Sequence, residues 1–134
     1  MGNKKYNRGA SLENDVANRL SSSGYAAIRA AGSGTSDRDS CDVVAVNDEE
    51  ILLIECKTYK VHGNNIIDYS DYRQMEELEN RVEIPGPGME GDRDVKTILA
   101  LRQSGKFSPR YVAPFPRTYR PNGDEELLST LYDS

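Results

Sequence analysis

The chain reads as an α/β protein, a central mixed β-sheet with helices packed against it. Three observations predict this. Short β-branched apolar runs at residues 42–46, 51–56 and 95–101 are set off by polar turns. Residues 11–23 and 69–82 carry apolar side chains three and four apart, the spacing of a helix with one buried face. A length of 134 residues is that of one domain, and 1–134 is read as a single domain with no room for a second core.

The elements follow in order. Ser11 is a plausible N-cap for the first helix, Leu12, Val16, Ala17 and Leu20 form its stripe, and Gly24 is a plausible stop. Residues 25–30 are a short strand entering the stretch 31–36, whose glycines and Ser33 allow backbone amides to approach a phosphate. The strands 42–46 and 51–56 flank Asn47-Asp48-Glu49-Glu50, a turn-forming tetrapeptide, and so predict a hairpin. In the helix 69–82, Tyr72, Met75, Leu78 and Val82 share a face, and the Pro and Gly residues at 85–88 end it. Residues 95–101 and 111–113 are strands joined through a turn at 103–106, and 125–132 is expected to be a short terminal helix.

Chemistry concentrates at one end of the hairpin. Successive side chains of a strand alternate faces, so Glu55 and Lys57 are neighbours on the face shared by Ile51 and Leu53. Antiparallel pairing sets Asp42 opposite them. An acid and a lysine ending an oily strand lose hydration unless something compensates them, and a divalent cation with a phosphate would do so. Magnesium takes one or two protein carboxylates and keeps waters and phosphate oxygens for the rest of its octahedron. Asp42 and Glu55 suit it, and the backbone carbonyl of Cys56 is a candidate third oxygen. Lys57 would hold the attacking water or neutralise charge developing at phosphorus. Taken singly, an acid before a strand is often a turn residue and a Glu-x-Lys pair is often solvated; the combination carries the argument. Glu13 falls on the inward stripe of the first helix, and its alternative explanation is a first-turn acid favoured by the helix dipole.

These residues, in order, are similar to the archaeal-type Holliday junction resolvases of the PD-(D/E)xK nuclease superfamily. The similarity rests on Asn7-Arg8-Gly9-Ala10-Ser11-Leu12-Glu13, Gly24-Tyr25, Ile28-Arg29-Ala30-Ala31-Gly32-Ser33-Gly34, Cys41-Asp42-Val43-Val44-Ala45 and Leu53-Ile54-Glu55-Cys56-Lys57. It implies a restriction-endonuclease-like core, a homodimer, magnesium dependence with manganese as a substitute, and paired nicking of four-way DNA junctions. By resemblance Glu13, Asp42 and Glu55 are the metal-site acids and Lys57 the catalytic lysine. Ser33 is the active-site serine, and Gln74 the glutamine of the following helix. Cys41 stands where the superfamily motif has proline. The alternatives are another repair or restriction-like nuclease of the superfamily, since the core motif marks phosphodiester hydrolysis and not substrate shape, and a noncatalytic DNA-binding module on the same fold. The apolar residues of 69–82 or 95–101 are candidate dimer contacts.

Charge separates this chain from its basic relatives. The net charge is −5, yet residues 96–120 hold six bases and no acid, against thirteen acids and five bases in 48–95. With Lys4, Lys5, Arg8, Arg29 and Arg38, those bases are candidates for phosphate contacts, where most affinity for nucleic acid originates. Surplus acid is how proteins stay soluble in molar salt, so the expected origin is the cytoplasm of a haloarchaeon or its virus. No apolar run has transmembrane length, two cysteines make no disulfide framework, and no membrane association or further small-molecule cofactor is expected.

Overall fold

In a computed structural model of the chain, residues 4–29, 41–60, 64–83, 93–106 and 108–129 are described, with 4–10 and 83 described by their backbone alone. Helix α1 spans Lys4–Ser22, followed by strands β1 (Ala26–Arg29), β2 (Val43–Val46) and β3 (Glu50–Tyr59). Helix α2 (Tyr69–Glu83) leads to β4 (Asp94–Gln103), β5 (Arg110–Val112) and β6 (Leu128–Ser129). The six strands form one sheet in sequence order, antiparallel throughout except for the parallel pair β3 and β4. That one parallel step needs a crossover, and α2 supplies it.

Alternation along β3 divides the core in two. Leu52 and Ile54 turn to the face covered by Leu12, Val16 and Leu20 of α1, whereas Leu53 packs on the other face with Met75 and Leu78 of α2. The three α1 side chains are almost wholly buried, and each contributes on the order of 2 kcal/mol. This docking carries the helix past its expected start. It begins at Lys4, not at a Ser11 cap: once the buried stripe holds a helix in place, each further turn adds backbone bonds at little loss. The Ser11 hydroxyl instead accepts a hydrogen bond from Arg102 at 3.4 Å.

The stop at Gly24 is as expected. Its φ is +99°, the Tyr25 amide donates to the Leu20 carbonyl and the Gly24 amide to the Ser21 carbonyl, the paired bonds of a Schellman cap. At the hairpin, the Asn47 side chain accepts the amides of Glu49 and Glu50, both at 2.8 Å. Beyond it, the Asn65 carboxamide accepts the Tyr119 amide at 2.8 Å and the Ile66 amide donates to the Tyr119 carbonyl, pinning the lead-in to α2 against the segment after β5.

Two other expectations are corrected. Of the helix expected over 125–132, the described residues 125–129 are not helical: Glu125–Leu127 is a single 3-10 turn, and Leu128 and Ser129 then pair with Val112 and Tyr111 of β5, while 130–132 lie outside the described residues. The open edge of β5 offers backbone partners, and Leu128 packs on the second core cluster, which a free helix end could not do. Of the strand 95–101, Ile98, Leu99, Ala100 and Leu101 are no dimer contact, because β4 lies between β3 and β5 and these four are fully buried.

Replacing Gly24 by alanine should lower stability by about 1 kcal/mol through the left-handed backbone alone, since a Cβ there meets no atom within 4 Å. Urea denaturation checks this; an unchanged midpoint would mean that the cap relaxes.

Candidate active site

Register builds the site. Val43 pairs with Ile54, so one step further along the hairpin Asp42 stands across from Glu55. The Asp42 amide donates to the Ile54 carbonyl at 2.9 Å, and its carboxylate accepts the Cys56 amide at 2.8 Å. Asp42 is thereby fixed as the end of the ladder rather than left as a solvated turn residue. Glu55 shares a hydrogen bond with it, so two carboxyl groups meet at the strand ends.

Two glutamates of β3 show what that juxtaposition does. Glu50, at the far end of the strand, is held by Lys96 at 2.8 Å and by the Tyr25 hydroxyl, and although burial raises its pKa these partners bring it below the usual range. Glu55 is pushed up to about 9, first by burial, then by its hydrogen bond to Asp42 and the charge of Asp42; Lys57 opposes this only in part. The first glutamate is a satisfied structural ion pair. The second keeps a proton because it is buried and its neighbour is another acid.

The flanking groups are committed. Glu13 lies deep in α1, nine residues from its start, so a first-turn dipole effect does not explain it. Burial and the charge of Asp42 raise its pKa, while its carboxylate accepts from Arg29 at 3.2 Å. Arg29, expected as a phosphate contact, also donates to Asn14 at 3.2 Å. Lys57 pairs with Asp71 of α2 at 2.9 Å, and although burial lowers its pKa that partner raises it overall. Glu55 and Lys57 face α2, as the alternation requires, whereas Cys56 packs towards α1. Gln74 is half-buried one turn beyond Asp71.

The structure thus brings Asp42, Glu55 and Lys57 together with Glu13 beside them. Asp71 was missed by sequence reasoning; its one signal was an acid in the first turn of a predicted helix, which the dipole explains equally well. Ser33 and Arg38 lie outside the described residues, as do the side chains of Lys4, Lys5 and Arg8. Of the bases in 96–120, Lys96 and Arg102 are paired to Glu50 and Asp15, while Lys106, Arg110, Arg117 and Arg120 are exposed.

Among the described residues, no three carboxylate, thiol or imidazole groups stand ready around one ion. Asp42 and Glu55 nevertheless fit a hard divalent cation: they are oxygen donors in mutual contact, and one of them keeps its proton for want of positive charge. The thiols do not compete. Burial pushes Cys41 up to about 11 and Cys56 higher still, so neither is a thiolate at neutral pH.

A mixed sheet crossed by helices on both faces, with an acid-x-lysine strand end opposite an aspartate, defines the restriction-endonuclease-like nuclease fold. Residues 4–81 match the family model of the archaeal Holliday junction resolvase, Hjc. The crossover junction endodeoxyribonuclease Hjc of Sulfolobus acidocaldarius is 40% identical over 80 residues, which cover 59% of this chain and 50% of that protein. Its Methanocaldococcus jannaschii counterpart is 39% identical over 111 residues, covering 83% and 69%. The structure of Archaeoglobus fulgidus Hjc, a Holliday junction resolvase from an archaeal hyperthermophile, superposes with a TM-score of 0.61 at 26% identity, covering 81% of this chain and 77% of that one. The matched region spans about half the length of the Sulfolobus relative and of the crossover junction endodeoxyribonuclease Hjc of Sulfurisphaera tokodaii, which is 39% identical over 75 residues. The chain belongs to the archaeal Holliday junction resolvase family. Nucleases of this family depend in general on a divalent metal.

Because the folded-state pKa of Glu55 is raised from about 4.5 to about 9, its contribution to stability is complete below 4.5 and is lost as pH rises towards 9. With chelator present, melting temperature should therefore fall with pH across that window more steeply in the wild type than in Glu55→Gln. Parallel pH profiles would show that Glu55 does not hold the proton.

Proposed function

We propose that this protein is a magnesium-dependent endodeoxyribonuclease that resolves four-way DNA junctions by cutting paired strands. The observation that carries the reading is the Asp42–Glu55 carboxylate pair beside Lys57 at one strand end. Family membership and relatives named crossover junction endodeoxyribonucleases support it.

In this reading Asp42 and Glu55 hold the metal with Glu13 at its margin, and the Cys56 carbonyl is the candidate backbone ligand. The ion, with manganese as a substitute, supplies a polarised phosphate and an acidified water. Asp42 and Glu55 would both have to be ionised to hold it, so Glu55 would give up its proton to solvent on binding. Lys57, charged and on the same face as Glu55, directs its ammonium at the developing phosphorane charge. Exposed Lys106, Arg110, Arg117 and Arg120, together with Lys4, Lys5, Arg8 and Arg38, supply phosphate contacts, and Arg29 joins them when it leaves Glu13. Ser33 and Gln74 complete the site by resemblance. A junction with two-fold symmetry suits a two-fold dimer with two such sites, so the working unit is a homodimer, with the half-buried apolar residues Tyr72, Leu78 and Val82 of α2 as its candidate contact. The acid surplus, carried by exposed Asp48, Glu49, Glu76 and Glu77 among others, fits a haloarchaeal or viral origin.

Asp42→Asn, Glu55→Gln and Lys57→Ala should each abolish cleavage of a labelled four-way junction in magnesium, while the two acid variants bind the junction as tightly as the wild type or more so, because repulsion of phosphate is relieved. Cleavage by either acid variant near the wild-type rate would end the assignment. Linear duplex beside the junction tests substrate shape.

Salt gives a separate test. Molar KCl shortens electrostatic reach to about 3 Å, so the melting temperature should rise from dilute buffer to molar KCl and cleavage should persist there. Equal stability in both, or cutting in dilute buffer alone, would remove the halophilic reading and leave the nuclease reading standing.

A further inference from the structure

We infer that Asp71 is the positioning residue for Lys57, holding its ammonium away from the Asp42–Glu55 pair; this rests on the nuclease reading above. The Nζ of Lys57 lies 2.9 Å from the Oδ2 of Asp71, and the aspartate side chain is only 18% exposed. A lysine at this point of β3 has two competing destinations. It shares a strand face with Glu55, and a flexible four-carbon stem with three rotatable donors folds readily onto the nearest oxygens. An ammonium collapsed on Glu55 would occupy the atoms a cation needs and would be lost to the phosphate. Asp71 decides the competition by offering a carboxylate from the other side, on a helix rather than on the same strand.

Its placement is rigid for identifiable reasons. The Tyr72 amide donates to the Asp68 carbonyl, which makes Asp68 the N-cap of α2 and Asp71 its third helical residue. The segment entering the helix is held by Asn65 to the Tyr119 amide. A plain capping role is the competing explanation, because the Asp68 amide also points at Asp71 Oδ2, at 3.4 Å. The ion pair is the shorter contact by half an ångström, so Lys57 is the carboxylate's principal partner.

The two roles separate by substitution. Asp71→Asn keeps an oxygen for the Asp68 amide and removes the charge, and Asp71→Glu returns the charge on a longer stem. On the full-length protein with a labelled junction in magnesium, Asp71→Asn should lower the cleavage rate at saturating enzyme by roughly ten- to a hundredfold, leaving junction affinity and melting temperature close to wild type. Asp71→Glu should recover most of the rate. Independently of activity, acylation of Lys57 by an amine reagent, read by mass spectrometry against exposed Lys106 as reference, should quicken in Asp71→Asn. A variant that cuts at the wild-type rate, that loses melting temperature and affinity along with rate, or whose Lys57 labels no faster overturns the role and leaves Asp71 a helix cap. A wild type that leaves the junction whole refutes the nuclease reading and this role with it; a wild type that cuts beside an equally fast Asp71→Asn refutes the role alone.

Discussion

Two carboxyl groups that cannot both ionise in contact are the constraint on which the rest of this molecule's chemistry depends. The β2–β3 register sets Asp42 opposite Glu55, and the Cys56 amide locks Asp42 there. Relaxation apart would require breaking the end of the ladder. Glu55 escapes by keeping a proton, which makes the site a standing demand for positive charge at this end of the β2–β3 hairpin.

The surrounding charges are ordered around that demand. From α1 across the strand ends to α2 the sequence of groups is Arg29 on Glu13, then Asp42 with Glu55, then Lys57 on Asp71. The outer acids each have a cation of their own. Among the described residues the inner pair has none in direct contact, although two cations lie nearby, because each is drawn outward by an acid on a helix. Such half-exposed pairs add little stability individually. Their effect is directional: they keep protein cations from quenching the inner carboxylates.

The same strand carries a control for this argument. Glu50 and Glu55 are both partly buried glutamates of β3, yet one is below and the other far above the ordinary range. Burial acts in the same sense on both. Burial is deeper at Glu55, and the neighbours differ too, a lysine and a tyrosine hydroxyl at one end and an aspartate at the other. The far end of β3 is therefore a clamp that ties the entry to β1 at Tyr25 and β4 to β3, and the near end is a candidate site. Sequence alone presents both as an acid at the margin of an apolar run.

What the sequence determined by itself was short-range and periodic. Alternation along 51–57 put Glu55 and Lys57 on one face, the Asn47 turn closed the hairpin and brought Asp42 across, and Gly24 stopped the first helix; each depends on a few adjacent residues. The start of α1, the strand at 128–129 and the inward position of β4 depended on tertiary packing: docking of Leu12, Val16 and Leu20, the open edge of β5, and the parallel crossover between β3 and β4. The same holds for the ion pairs that join Arg29 to Glu13 and Lys57 to Asp71, partners sixteen and fourteen residues apart on different elements. Spacing in sequence carries no information on which of several nearby acids a long side chain will choose. That choice is made by the distance and angle at which packed helices present their carboxylates, and these exist only once both faces of the sheet are covered.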